Sequence, residues 1–139
     1  MRPAVDRLVR YFETLTPERV AELPEYYAAG AYFKDPFNEV HRLQDIQAIF
    51  ARMYEQVDAP RFKVRQSLAE GGEAFLVWDL EFRFRGRESQ EVIHGVSHLR
   101  FGDEGKVISH RDYWDTGEEL YQKLPFLGAL FRWLRRRGG

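Results

Sequence analysis

Glu73-Ala74-Phe75-Leu76-Val77-Trp78-Asp79-Leu80-Glu81-Phe82-Arg83-Phe84-Arg85 is the stretch that decides the fold. Its even positions, Ala74, Leu76, Trp78, Leu80, Phe82 and Phe84, are all apolar, while Asp79, Glu81, Arg83 and Arg85 share the other face with Phe75 and Val77. A period of two over this length is a β-strand with one buried face. A slip of one residue would drive the charged set into the core, so the register is well specified. The same period extends in both directions, through Arg61 to Glu70 before it and through Ser89 to Phe101 and Lys106 to Asp115 after it. Gly71-Gly72, Gly86 with its neighbours and Asp103-Glu104-Gly105 separate the runs, which predicts consecutive antiparallel hairpins. By parity, Ile93, Gly95, Ser97, Leu99 and Phe101 share one face, and Ile108, His110, Asp112 and Trp114 share one face of the last strand.

Upstream, the period changes to that of a helix. Val5, Leu8, Val9, Phe12 and Leu15 predict a first helix over about residues 4–15. Thr16-Pro17 reads as the start of a second, which holds Val20 and Leu23 and stops at Pro24. After a short Glu25 to Gly30 segment comes an extended stretch around Asp35. A further helix is expected from about Leu43 to Gln56, with Ile46, Ile49, Phe50, Met53 and Val57 on one face. Helices first and a bent antiparallel sheet second indicate an α+β fold. With 139 residues, 44% of them hydrophobic, the chain can bury one good core but not two. A single domain is expected over 1–139, with a core of about 5–115 and a C-terminal helical extension of about 117–137.

Composition excludes several classes of function. A formal charge of −1 gives no pull toward nucleic acid. The lack of cysteine removes disulfides, thiolate metal sites and cysteine nucleophiles. No apolar leader or membrane-length run is present, so a cytoplasmic protein is expected. Neither a phosphate-binding loop nor a dinucleotide fingerprint nor a nucleophile elbow occurs, so no cofactor is expected. Aromatic residues, at 15%, concentrate in the strands and the last helix, which suggests a large apolar core or pocket.

Within Tyr32-Phe33-Lys34-Asp35-Pro36-Phe37 a carboxylate stands among aromatic and aliphatic residues beside a proline. Pro36 restricts Asp35 to extended geometry, and apolar surroundings would raise its pKa toward working pH. Asp35 is therefore either a turn initiator or a proton-transfer base. His110 and Asp112 point inward if their face meets the helices. Polar groups there require partners, so they form either a hydrogen-bonded pair at a strand end or part of a site.

Arg10-Tyr11-Phe12, Lys34-Asp35-Pro36, Phe82-Arg83-Phe84-Arg85-Gly86-Arg87 and Ser97-His98-Leu99-Arg100-Phe101 followed by Gly105-Lys106-Val107-Ile108-Ser109 resemble the Δ5-3-ketosteroid isomerases. More broadly, residues 5 to 115 resemble the nuclear transport factor 2 fold superfamily, which includes polyketide cyclases, scytalone dehydratase and limonene epoxide hydrolase. The resemblance implies a curved antiparallel sheet wrapped around helices as a cone, one deep apolar pocket, and a homodimer formed through the outer sheet face. It implies Asp35 as general base and Tyr11 as oxyanion donor. The family's third catalytic position, a neutral carboxylic acid, falls on Ser97. His110 and Asp112, in a segment resembling the cyclase-like branch, would orient or complete the acid-base set. Trp78, Leu80, Phe82, Trp114 and Phe50 would wall the pocket around a small apolar carbonyl compound, steroid- or polyketide-like. The reaction implied is cofactor-free proton transfer; the alternatives are a cyclase or epoxide hydrolase and a non-catalytic carrier of hydrophobic ligands.

Other candidates have structural readings. His94 and His98 fall on the face opposite Ser97, and no metal site is expected there. His41 reads as an exposed loop residue or a pocket-mouth residue. The tail from Leu124 to Arg137 has an apolar stripe and a cationic end, and the arginines would complement a helix dipole. It is expected to pack as a lid or against the domain rather than on a membrane surface.

Overall fold

The computed structural model describes residues 2–115; the expected C-terminal helix lies outside the described residues. Helix α1, Arg2–Glu13, buries Val5, Leu8, Tyr11 and Phe12 along one stripe. It starts and ends two residues earlier than its apolar pattern suggests, and Thr14 Oγ1 donates to the Arg10 carbonyl at its end. Thr16 does act as a cap, its Oγ1 accepting the Arg19 N–H at 3.1 Å. The next segment, Glu18–Glu25, is a 3₁₀ helix with Pro24 inside it, rather than an α-helix that stops at Pro24. The tighter winding suits a short connector that buries only Val20 and Leu23.

Strand β1, Tyr27–Lys34, begins earlier than the Ala-Ala-Gly stretch suggests. Its partner explains why: β1 runs parallel to the last strand, with Tyr27 opposite Val107 and Phe33 opposite His110. The sheet is therefore not wholly antiparallel. A two-residue strand β2, Glu39–Val40, folds back on β1. Helix α2, Leu43–Gln56, buries Ile46 and Phe50 and keeps the expected bounds. Then come β3, Val57–Glu70, β4, Glu73–Phe84, β5, Gln90–Phe101, and β6, Val107–Tyr113. The six strands lie in the order β2-β1-β6-β5-β4-β3.

Two bulges bend the edge strand β3. Its pairing with β4 shifts between Asp58 and Arg61 and again between Val64 and Gln66. An extra residue on one strand increases local bend and twist, which curls this long ribbon around the helices. The first bulge holds Ala59, with φ of 49°, and Pro60, a residue that an edge strand tolerates because one side has no ladder to feed. The concave face carries the expected set: Ala74, Leu76, Trp78, Phe82 and Phe84 on β4, and Ile93, Ser97, Leu99 and Phe101 on β5, are buried. Each fully buried residue of leucine or phenylalanine size contributes about 1.5–3 kcal/mol.

The last strand departs from simple parity. Val107 is fully buried and Ile108 is 45% exposed, although Ile108 shares parity with His110. Arg100 pairs with Ser109 and Phe101 with Val107, so Ile108 is the extra residue of a bulge and turns outward. On the convex face, His94 meets Asp79 at 2.6 Å and His98 meets Glu73 at 2.6 Å while stacking on Phe75. Both histidines therefore have structural partners away from the interior. Among the described residues no helix is long and apolar enough to cross a membrane.

Candidate active site

The site begins with a local turn. Asp35 Oδ1 accepts the backbone N–H groups of Phe37 at 2.8 Å and Asn38 at 2.7 Å, and the Asn38 side-chain amide at 3.0 Å. In return, the Asp35 N–H donates to the Asn38 carbonyl at 2.9 Å. The turn thus fixes the carboxylate at the end of β1 through one oxygen. Oδ2 receives a single longer bond of 3.2 Å from Asn38 Nδ2 and keeps acceptor capacity. Burial pushes the Asp35 pKa up to about 6, and the charge of Asp112 adds to the rise; the bonds from Phe37 and Asn38 oppose it.

Asp35 lines a cavity of about 160 Å³. Phe50, Trp78, Leu80, Phe82, Asp112 and Trp114 line the same space, so seven of the ten residues expected from the sequence meet there. Trp114 packs edge-on to Phe37, their ring centres 5.4 Å apart. Behind this cavity a chamber of about 20 Å³ is bounded by Ser97, His110, Asp112 and Trp78, among others. That is room for one water.

A chain of hydrogen bonds connects the two spaces. Trp78 Nε1 donates to Ser97 Oγ at 2.8 Å, and the Ser97 hydroxyl donates to Asp112 Oδ1 at 2.5 Å. The same oxygen lies 2.6 Å from His110 Nε2, and His110 Nδ1 lies 2.6 Å from the Tyr27 hydroxyl. An ionised carboxylate only accepts, so Nε2 carries the proton in the neutral imidazole and Nδ1 accepts from Tyr27. Burial, and then the Asp112 charge, hold the Tyr27 pKa well above its ordinary value, which keeps that hydroxyl a donor. Replacing Tyr27 with Phe strands Nδ1 of a histidine that is only 2% exposed. The expected loss is about 1–3 kcal/mol of unfolding free energy, read by chemical denaturation. An unchanged midpoint would mean that this pairing contributes nothing.

Of the other three expected residues, Ser97 and His110 bound the small chamber and Tyr11 stands elsewhere. The Tyr11 hydroxyl donates to the Arg19 carbonyl at 2.8 Å, and its ring stacks on Tyr26 at 4.1 Å. Tyr11 is not among the cavity's lining residues; it holds α1 to the 3₁₀ segment. Ser97 is near the cavity, but its proton is committed to Asp112 and its oxygen to Trp78, so in this arrangement it positions Asp112 rather than offering a donor to a ligand. His41 is exposed and contacts the Tyr32 ring.

The sequence reading missed Tyr27, Asn38 and Gln56. Asn38 was discoverable from Asp35-Pro36-Phe37-Asn38, where a polar residue three places after the aspartate can close its turn. Gln56 continues the Ile49, Met53 stripe of α2, a polar residue on an apolar line. Tyr27 gave no comparable signal, since its burial depends on a parallel partner eighty residues away in sequence.

A curved sheet closed by helices over an aromatic cavity with two carboxylates defines a cavity-bearing α+β cone. The pattern of the SnoaL-like domain family matches residues 8–110, and the chain belongs to that family. Solved structures agree on the fold. A SnoaL-like polyketide cyclase of Shewanella denitrificans, so described, is 18% identical with a TM-score of 0.71, over 88% of this chain and 100% of that one. A Catenulispora acidiphila protein of ketosteroid isomerase-like fold, solved with trimethylamine, is 16% identical at 0.71, covering 86% and 90%. An NTF2-like protein of Burkholderia pseudomallei is 12% identical at 0.73, covering 86% and 94%. No curated protein matches the chain in sequence.

Proposed function

We propose that this protein is a cofactor-free enzyme that moves a proton on a small apolar carbonyl compound, with Asp35 as the base. The observation that carries this reading is a carboxylate anchored through one oxygen on the wall of an aromatic cavity. A base with a pKa of about 6 is ionised at neutral pH yet strong enough to take a proton made acidic by a carbonyl. Asp35 removes the proton from the carbon between carbonyl and alkene, the dienolate forms, and the proton returns to the far alkene carbon. His110 and Asp112 complete the acid-base set. Turnover of the β,γ-unsaturated isomer of cyclohexenone, and of a Δ5-3-ketosteroid, tests it directly by ultraviolet absorbance of the conjugated product. Rate should rise with pH and level off above about 6. Absence of turnover on both ketones would remove the isomerase reading.

A second reading, a cyclase or a water-activating hydrolase, draws on the water-sized chamber at Ser97, His110 and Asp112. The hydrolase predicts that water opens the ring of an epoxide probe, so that one oxygen of the diol product carries the water label. A carrier without catalysis would keep its ligand affinity in Asp35→Asn.

We also propose a homodimer through the convex sheet face. Leu68 pairs with Phe75 and Val77 with Val96, which pairs in turn with Tyr113, so an apolar row crosses four strands, exposed on three of them and half-buried at Val96. Val77→Glu should convert a dimer to a monomer in sedimentation equilibrium; a wild-type monomer at tens of micromolar would sink the idea.

A further inference from the structure

Among the described residues, two buried polar atoms beside the cavity have no partner. Asn38 Oδ1 and Gln56 Nε2 make no hydrogen bond, and both residues line the space that holds Asp35. Native structures rarely leave a buried amide atom unpaired, because the lost hydration is not recovered. The orientation of Asn38 is fixed by Asp35: its Nδ2 donates to both carboxylate oxygens, which leaves Oδ1 as the spare atom. One orphan is therefore an acceptor and the other a donor. The hydroxyls expected to meet a substrate oxygen, those of Tyr11 and Ser97, are already committed to Arg19 and Asp112.

Size narrows the ligand further. The cavity measures about 160 Å³. An apolar cavity of about 150 Å³ holds benzene, so the enclosed part of a ligand is one six-membered ring rather than four fused ones.

We propose that Gln56 and Asn38 read the polar edge of the substrate. Gln56 Nε2 donates to the carbonyl oxygen, Asn38 Oδ1 accepts from a hydroxyl or N–H on the same ring, and the enclosed part of the substrate is a single carbonyl-bearing ring that carries such a donor. The assignment rests on this cavity being the substrate site for proton transfer by Asp35. Gln56 touches the substrate oxygen directly, and Asn38 both orients the substrate and holds the base.

Three ring-sized probes test it: δ-valerolactam, which has acceptor and donor, cyclohexanone, which has the acceptor alone, and methylcyclohexane, which has neither. Affinities come from protein-observed NMR, and the infrared stretch of carbon-13-labelled cyclohexanone reports the hydrogen bond to its oxygen. Lactam should bind tighter than ketone, and ketone tighter than hydrocarbon. In Gln56→Leu the bound carbonyl stretch should rise to its value in an aprotic solvent, and ketone affinity should fall about five- to tenfold, with hydrocarbon affinity retained. Gln56→Met, closer in shape, should do the same and guards against misfolding of the first variant. The lactam's advantage over the ketone should survive both and vanish in Asn38→Leu. An unchanged carbonyl stretch in both Gln56 variants overturns the proposal, as does failure of wild type to bind ketone or lactam at millimolar concentration. Asp35→Asn should leave the carbonyl stretch in place, so loss of proton transfer and loss of carbonyl recognition are separable results.

Discussion

Replacing Asp35 with asparagine should abolish proton transfer and, above pH 6, make the protein more stable. The catalytic part is the loss of the base, about 10²- to 10⁴-fold in rate. The stability part comes from the same carboxylate. Its pKa moves from 3.8 to about 6 on folding, mainly because burial disfavours the charge. Below pH 3.8 the group is protonated in folded and unfolded chains alike and costs nothing. Between there and about 6 the unfolded chain ionises while the folded one resists, and stability falls with rising pH; above about 6 the full penalty stands. At about 1.36 kcal/mol per pKa unit, that penalty is at most about 3 kcal/mol. Asparagine keeps an oxygen for the Phe37 and Asn38 N–H groups but turns an N–H toward Asn38 Nδ2. The net gain at pH 8 should therefore be about 1–2 kcal/mol, turning into a loss of about 1–2 kcal/mol below pH 4, where only the amide contact remains. Urea denaturation of both proteins across that range measures it. A variant less stable than its parent at pH 8 would show that the turn's donors stabilise the carboxylate more than burial disfavours it.

Gly95→Ala should damage the fold most among small substitutions. Gly95 lies directly opposite Trp78 on the neighbouring strand, and the indole ring rests on its backbone. A Cβ there would stand 2.5 Å from Trp78 Cζ2 and 2.9 Å from Cζ3, nearer still to Cη2. The ring cannot yield cheaply, since its Nε1 is tied to Ser97 and its other edge faces Phe62. Either the Ser97 bond breaks or the ring swings into the cavity. Overpacking of this kind costs about 1–3 kcal/mol. For a chain of this length that lowers the melting midpoint by about 5 °C or more. Trp78→Leu in the same background removes the clashing ring, so the double variant should lose less than the two single losses added together. Strict additivity would mean that the clash is relieved elsewhere.

Period-two and period-3.6 patterns carried most of the architecture. Helix α2 and the concave faces of β4 and β5 follow their sequence pattern because packing, periodicity and turn residues agree there. Reading failed where one residue breaks the phase or a distant partner overrides propensity. The run expected from Arg61 extends back to Val57, because a bulge at an edge takes Pro60 into the strand. Ala28-Ala29-Gly30 has little strand propensity, and its extension comes from lying beside β6. At the site, Asp35, the aromatic wall and the inward His110 and Asp112 were legible, being polar exceptions in apolar lines. Tyr11 was placed by resemblance alone, and its hydroxyl went to a backbone carbonyl that no pattern announces.

The bulge at Ile108 bears on how such a chain tolerates insertion and deletion. Leu99 pairs with His110 and Ser97 with Asp112, while Phe101 pairs with Val107, so the strand keeps one alternation on either side of the extra residue. Removing Ile108 would leave those partners in an uninterrupted ladder with the same side chains facing inward. The tip of this hairpin can therefore gain or lose a codon without moving His110 and Asp112 off the concave face, whereas a codon gained between them would turn one of the pair to the outside.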